Sequence, residues 1–208
     1  METRLKLVSW WDDALGHLKG DFVLASLMEK ARGDGLLTCT DFESSMIRAV
    51  CGQQVSNAAA AKTRDRVLQA AEQAAPGYLP LGIQILGSPG LKGLGLSATK
   101  SAALAGLAQG YLSGALTEKT LNGLTDEAVL SRLVQIRGVG PWTAHMILIF
   151  GLNRPDVFPV DDYGLKTSGV KLFGNLDTML ERSRAWRPYR TAATWLLWRD
   201  RTGFAVRY

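Results

Sequence analysis

Apolar residues recur along most of the 208-residue chain at the three- and four-residue intervals of a helix, and alternating runs that signal strands are scarce. Phe42, Met46, Ile47 and Val50 fall on one helical face, and Thr40 followed by Glu43 reads as a capping box opening that helix. Ser56 is expected to cap an alanine-rich helix, AAAAKTRDRVLQAAEQAA, which Pro76-Gly77 stops. Ser97 starts another helix, with Leu104, Leu107, Ala108 and Leu112 on one side. Thr125 begins a fourth, carrying Val129, Leu130, Leu133 and Ile136 at helical spacing and ending at Ile136. Residues 78–96 hold seven Gly and Pro in nineteen positions and read as the main non-helical stretch. The pattern predicts an all-α fold, with short extended pieces admitted near the N-terminus.

Composition narrows the class. At 47% hydrophobic and 21% charged the chain is ordinary for a globular protein, long enough for one large or two small domains. The longest uncharged apolar run, Ala144 to Leu152, is too short to span a bilayer, and the opening METRLKLVSWWDD lacks the apolar core of a secretory signal. Cys39 and Cys51 are too few for a disulfide framework, an iron–sulfur cluster or a zinc ribbon. A soluble, cytoplasmic protein is expected. The net charge of +5 is concentrated at the end of the chain, where residues 182–208 contain seven arginines and one acid, Asp200. Such a segment suits a polyanion, because arginine forks match phosphate oxygens. It equally suits a solvated basic face, the reading that charge alone favours.

The segment AVLSRLVQIRGVGPWTAHMILIFGL (128–152) carries the most information. An amphipathic helix leads into Arg137-Gly138-Val139-Gly140-Pro141, and a second, apolar helix begins near Trp142. Gly138 and Gly140 are free to take positive φ and let their amides approach another group closely. Pro141 suits the first position of the following helix, whose amides and positive dipole end favour an anion. The same residues also make an ordinary helix–helix turn. The spacing fails the dinucleotide fingerprint, since Thr143 stands where a third glycine is expected, and no lysine-bearing phosphate loop is present.

The run L-x-x-I-x-G-V-G-P-W-T-A resembles the helix-hairpin-helix motif of base-excision DNA glycosylases. VFPVDDYGLK (157–166) is similar to that superfamily's loop bearing a catalytic aspartate, FESSMIRAVCGQQVSNAAAAK (42–62) to its earlier segment, and LKGLGLSATKSAALAGLA (91–108) to its middle one. The resemblance covers roughly residues 40–200 in order, with the alkylation-repair branch, the 3-methyladenine DNA glycosylase II type, as the nearest group; the chain is too short to hold the extra N-terminal domain of its larger members. The resemblance implies two helical lobes with a DNA-binding cleft between them. One lobe would span about 48–155, including the hairpin at 128–152, and the other about 1–47 plus 156–208.

It also implies roles for particular residues. Hydrolysis of an N-glycosidic bond passes through an oxocarbenium-like sugar that a carboxylate stabilises. An alkylated purine already carries positive charge and leaves without a second acid. Asp161 and Asp162 compete for the single carboxylate role; the family pattern selects Asp162 as catalytic and leaves Asp161 to cap the following helix. Trp142, Tyr163 and Trp198 match aromatic positions of a pocket for a flipped cationic base. Met146 stands there in place of a tyrosine and implies a softer, more open wall. Trp142 occupies the place of the Schiff-base lysine of bifunctional relatives, so lyase activity is not expected. Gln53 and Gln54 match the segment that fills the hole left by the flipped nucleotide, Gln54 being the inserting residue. Gly138, Gly140 and Thr143 match the phosphate grip. The backbone carbonyls of Val134, Ile136 and Val139 match the ligands of a structural Na+ or K+, with no other cofactor required. His17 and His145 read as packing or surface residues.

The expected activity is that of a monofunctional glycosylase excising alkylated purines such as 3-methyladenine and 7-methylguanine from double-stranded DNA in base excision repair. The protein is expected to act as a monomer, nucleoid-associated if bacterial. Two alternatives stay open: a non-catalytic helix-hairpin-helix DNA-binding module, and a glycosylase for oxidised or mismatched bases.

Overall fold

In the computed structural model, which describes residues 5–39, 41–55 and 57–203, the chain is almost wholly helical. In order the elements are β1 (Leu5–Leu7), α1 (Trp11–Leu18), α2 (Phe22–Lys30), β2 (Leu37–Cys39), α3 (Phe42–Cys51), α4 (Asn57–Ala74), α5 (Leu79–Gly93) and α6 (Ala98–Leu112). They continue with α7 (Glu118–Asn122), α8 (Asp126–Leu133), α9 (Pro141–Met146, prolonged by a π-helical turn over Ile147–Gly151), α10 (Tyr163–Phe173), α11 (Leu176–Ser183) and α12 (Arg190–Thr202). The expected extended pieces are β1 and β2, a short antiparallel pair with Leu5 opposite Cys39.

The chain divides into two compact units, one of residues 1–40 and 153–208, the other Asp41–Leu152. The boundary expected at 47/48 would cut through α3, which lies whole in the second unit because Ile47, Ala49 and Val50 on it are fully buried.

The first unit is built around tryptophans. Trp11 of α1 meets Trp195 of α12 edge to face at 5.0 Å, and Trp186 and Trp195 are among the largest fully buried side chains. Asp21 caps α2 by accepting the amides of Val23 and Leu24, and its other oxygen accepts the Trp186 indole N–H and the Arg182 guanidinium, both at 3.0 Å. Burial alone would raise this carboxyl, but the bonds from Trp186, Leu24 and Arg182 outweigh it and hold Asp21 below the ordinary carboxylate range. Arg190 and Arg187 pair with Asp156, and Arg199 with Asp34. Much of the arginine-rich tail is therefore engaged by acids within its own unit; Arg207 lies outside the described residues.

The second unit packs α3–α9 around Ile47, Leu91, Leu104, Leu107, Leu121, Leu133 and Phe150. Ser97 and Thr125 cap α6 and α8, each accepting the amide three residues on. Three expectations need correcting. Asp41 is the cap of α3, accepting the Ser44 amide at 2.7 Å, while Glu43 accepts the Tyr111 hydroxyl on α6 rather than closing a capping box; Thr40 and the expected cap Ser56 lie outside the described residues. Residues 79–93 are helical, although they were expected to be the non-helical stretch. Gly82 is there for closeness, since a Cβ on it would sit 2.0 Å from the Ala71 carbonyl oxygen of α4, and the chain breaks helical geometry only at Gly87 (φ 57°), ahead of Pro89. Finally, α8 ends at Leu133, not at Ile136: Ile136 lies in the turn and keeps the helical spacing because it packs over Gly106 of α6.

Candidate active site

Asp162 is the N-cap of α10, with extended φ/ψ (−65°, 128°), and its Oδ1 accepts the Leu165 amide at 2.7 Å. The same Oδ1 accepts the indole N–H of Trp198, on α12, also at 2.7 Å. Two donors from different elements of one unit thus fix one carboxylate oxygen, as charge-assisted bonds do best. Gly164 makes room for the pair: a Cβ there would lie 3.1 Å from Asp162 Oδ1 and 3.2 Å from Trp198 Cδ1. The capping role expected of Asp161 therefore belongs to Asp162. Asp161, its side chain 78% exposed, pairs instead with Lys166 at 3.1 Å.

Trp198 is buried at 8% exposure, with its polar edge committed to Asp162. Tyr163 is 73% exposed, and the Arg201 guanidinium lies 5.4 Å from its ring centroid. Its ring is offered to solvent while already serving a cation.

In the second unit the hairpin turn is laid down by Ile136 N–H bonding the Leu133 carbonyl and Val139 N–H bonding the Ile136 carbonyl at 2.9 Å. Gly138 takes φ 88°, whereas Gly140 takes φ −93°, so only the first of the two glycines uses the left-handed region. Gly140 is the exposed N-cap of α9, and Pro141 follows as its first residue. Trp142, half-buried, comes next. Met146, expected to form an open pocket wall, is only 2% exposed and is buried in this unit because it lies on the inner face of α9.

Gln53 and Thr143, both expected to face DNA, meet each other. The Gln53 amide nitrogen donates to the Thr143 hydroxyl at 2.9 Å and to the Gly138 carbonyl at 3.0 Å, and Thr143 is buried. Gln54, next in the chain, is exposed and has φ 51°, a value rare for any residue with a side chain. This link between positions 85 and 90 residues apart leaves no local sequence signal; a Gln-Gln pair at a helix end marks the place but not the partner.

For the expected cation, the Ile136 carbonyl already accepts one amide but has a second lone pair, and Val134 and Val139 flank it in the same turn. The donor set of neutral carbonyls suits a weakly held monovalent ion. Among the described residues no group of three His, Cys, Asp or Glu could hold a metal, and no helix is long and apolar enough to cross a membrane.

No family model matches the chain. Individual relatives do. The DNA-3-methyladenine glycosylase 1 of Schizosaccharomyces pombe is 34% identical over 163 residues, 74% of this chain and 70% of that protein. A putative DNA-3-methyladenine glycosylase of Bacillus subtilis is 29% identical over 213 residues, 96% of this chain and 74% of that protein. Among solved structures, a Schizosaccharomyces pombe 3-methyladenine DNA glycosylase in complex with abasic DNA matches 94% of this chain and 100% of that one, with a TM-score of 0.80 at 29% identity. On this likeness of sequence and fold, the chain belongs to the 3-methyladenine DNA glycosylase family of helix-hairpin-helix proteins.

Proposed function

We propose that the protein is a monofunctional DNA glycosylase that flips alkylated purines out of double-stranded DNA and hydrolyses their N-glycosidic bond, the first step of base excision repair. The observation that carries this reading is the Asp162 carboxylate, held at one oxygen by the Leu165 amide and the Trp198 indole. A carboxylate fixed in this way is pre-oriented to stabilise the positive charge that develops on the sugar as the base departs, and to align the attacking water. A methylated purine, being cationic, is recognised by electron-rich ring faces; the exposed Tyr163 ring provides one, and the family resemblance adds Trp142. Trp198 contributes mainly by aiming Asp162. Met146, being buried, supports the wall rather than forming it.

Gly138 and Gly140 present the hairpin backbone to a phosphate, and Gln54 occupies the vacated base position. A monovalent cation held by the carbonyls of Val134, Ile136 and Val139 would neutralise phosphate charge there and supply no chemistry at the glycosidic bond. Trp142 has no amine to form an imine, so an intact abasic site is left. The enzyme works as a monomer on cytoplasmic DNA.

The test is base release from duplexes that each carry one defined lesion. Wild type is expected to release 3-methyladenine and 7-methylguanine. Asp162→Asn, which preserves the cap because asparagine accepts the same amide, should lose about 10²–10³-fold in turnover while still binding an abasic duplex. Turnover retained in this variant rejects the assignment. Release of only oxidised or mismatched bases, or binding without any release, would favour the alternative readings, and borohydride trapping of a covalent adduct would overturn the monofunctional one.

A further inference from the structure

We propose that Gln53 is a positioning residue that ties the Gln54 loop to the hairpin turn, so that the two elements assigned to DNA move as one body. This deepens the proposed function and rests on its assignment of both elements to DNA.

The tie is specific in its chemistry. Gln53 offers an amide nitrogen with two protons, and the two partners are the Gly138 carbonyl and the Thr143 hydroxyl, at 3.0 and 2.9 Å. A carbonyl only accepts, so the nitrogen end must face the turn. Gly138 is the residue at φ 88° on which the turn depends, and Thr143 sits in the first turn of α9. The bridge therefore spans the elbow from its bend to the helix that follows. The loop is fastened from the other side as well: Lys100, beside the Thr99 carbonyl on which Gly138 rests, donates its Nζ to the Cys51 carbonyl at the end of α3 at 3.1 Å. Between these fastenings, Gln54 is held in the left-handed region, a conformation that persists only where its surroundings over-determine it. Without the bridge, the loop relaxes, and Gln54 loses its fixed direction relative to the hairpin.

The experiment uses the full chain. Affinity is read on a duplex carrying a tetrahydrofuran abasic analogue, and single-turnover release on a 7-methylguanine duplex over a range of enzyme concentrations. Gln53→Leu keeps the bulk without donors, and Gln53→Glu sets an acceptor against the Gly138 carbonyl. Both should raise the half-saturating concentration about tenfold, the cost of one buried amide partnership, with the plateau rate changed by less than about twofold. Gln54→Ala should weaken wild type but add little in the Gln53→Leu background, the non-additivity expected of residues acting together. Thr143→Val should show a smaller loss of the same kind, and Thr143→Ser should restore it. An unchanged half-saturation, a fall confined to the plateau rate, or a Gln54 effect that adds fully to that of Gln53 overturns the proposal. Should Gln53→Leu fail to fold, the Thr143→Val and Thr143→Ser pair decides. Amide hydrogen exchange in the hairpin separates this proposal from the one beneath it. Faster exchange in Gln53→Leu or Thr143→Val upholds the tie even if wild type releases no base, and unchanged exchange refutes it even if wild type is an active glycosylase.

Discussion

Each unit contains one group that we propose acts on DNA, and the two are held in place differently. In the first, a charged side chain, Asp162, is immobilised by donors brought to it from α10 and α12. In the second, a stretch of backbone, the hairpin turn, is immobilised by one neutral side chain reaching in from the end of α3. A carboxylate must keep its charge and be aimed, so it takes N–H donors and a capped helix start. A backbone grip must leave amides free for its ligand, so its support comes through a carbonyl and a neighbouring hydroxyl. The contrast predicts that damage in the first unit appears in turnover and damage in the second appears in binding and local order.

The largest effect is expected at the hairpin itself. Gly138 has φ 88°, and a Cβ there would lie 2.6 Å from the Thr99 carbonyl oxygen and 3.1 Å from the Ala103 Cβ. Gly138→Ala therefore adds backbone strain and a clash with α6, at a cost of about 2–4 kcal/mol of stability. Gly140→Ala meets nothing within 4 Å at φ −93° and should cost little stability. Urea denaturation of the two variants checks this; equal losses would mean that the turn is not built on Gly138 alone.

A smaller effect, and of the other kind, follows from Trp198→Phe. The ring is kept and the indole N–H lost, so Asp162 retains its helix cap but not its second donor. Turnover should fall about tenfold with abasic-duplex affinity unchanged. A loss in affinity with turnover intact would assign Trp198 to base stacking and not to the carboxylate.

The same contrast explains what was legible in the sequence. The turn at 137–141 and the helix start at 161–163 could be read from their glycines, proline and acids, but the roles of both came only from the resemblance to the glycosylases. Their supports could not be read. Gln53 to Gly138 spans 85 residues and Asp162 to Trp198 spans 36, and neither pairing follows from any spacing rule. Asp161 and Asp162 exchanged capping roles because either can begin the same helix; α10 starts at Tyr163, so the cap is Asp162, which Trp198 also holds from far along the chain. Residues 79–93 looked like a loop because glycine serves two purposes. At Gly138 it supplies a backbone angle, while at Gly82 it supplies closeness to α4 inside a helix. Composition records the residue but not which purpose it serves.

The smallest effects separate the two units by pH. Asp21, in the first, is held below the ordinary carboxylate range; burial opposes its charge but the bonds from Trp186, Leu24 and Arg182 prevail. A depressed folded-state pKa stabilises the fold above the unfolded value, about 4, and that stabilisation is lost as pH falls through the folded value. Tyr111, in the second, is raised well above the ordinary phenol value by burial, with its bond to Glu43 adding to the effect. Its stabilisation is complete below the unfolded value, about 10, and is lost as pH rises toward the folded one. Asp21→Asn should therefore flatten the acid limb of the stability profile and leave the alkaline limb as it was. Tyr111→Phe should do the reverse. Stability measured by urea titration from pH 3 to pH 11 checks both, and an acid limb unchanged in Asp21→Asn would mean that the carboxylate is not what links α2 to Arg182 and Trp186.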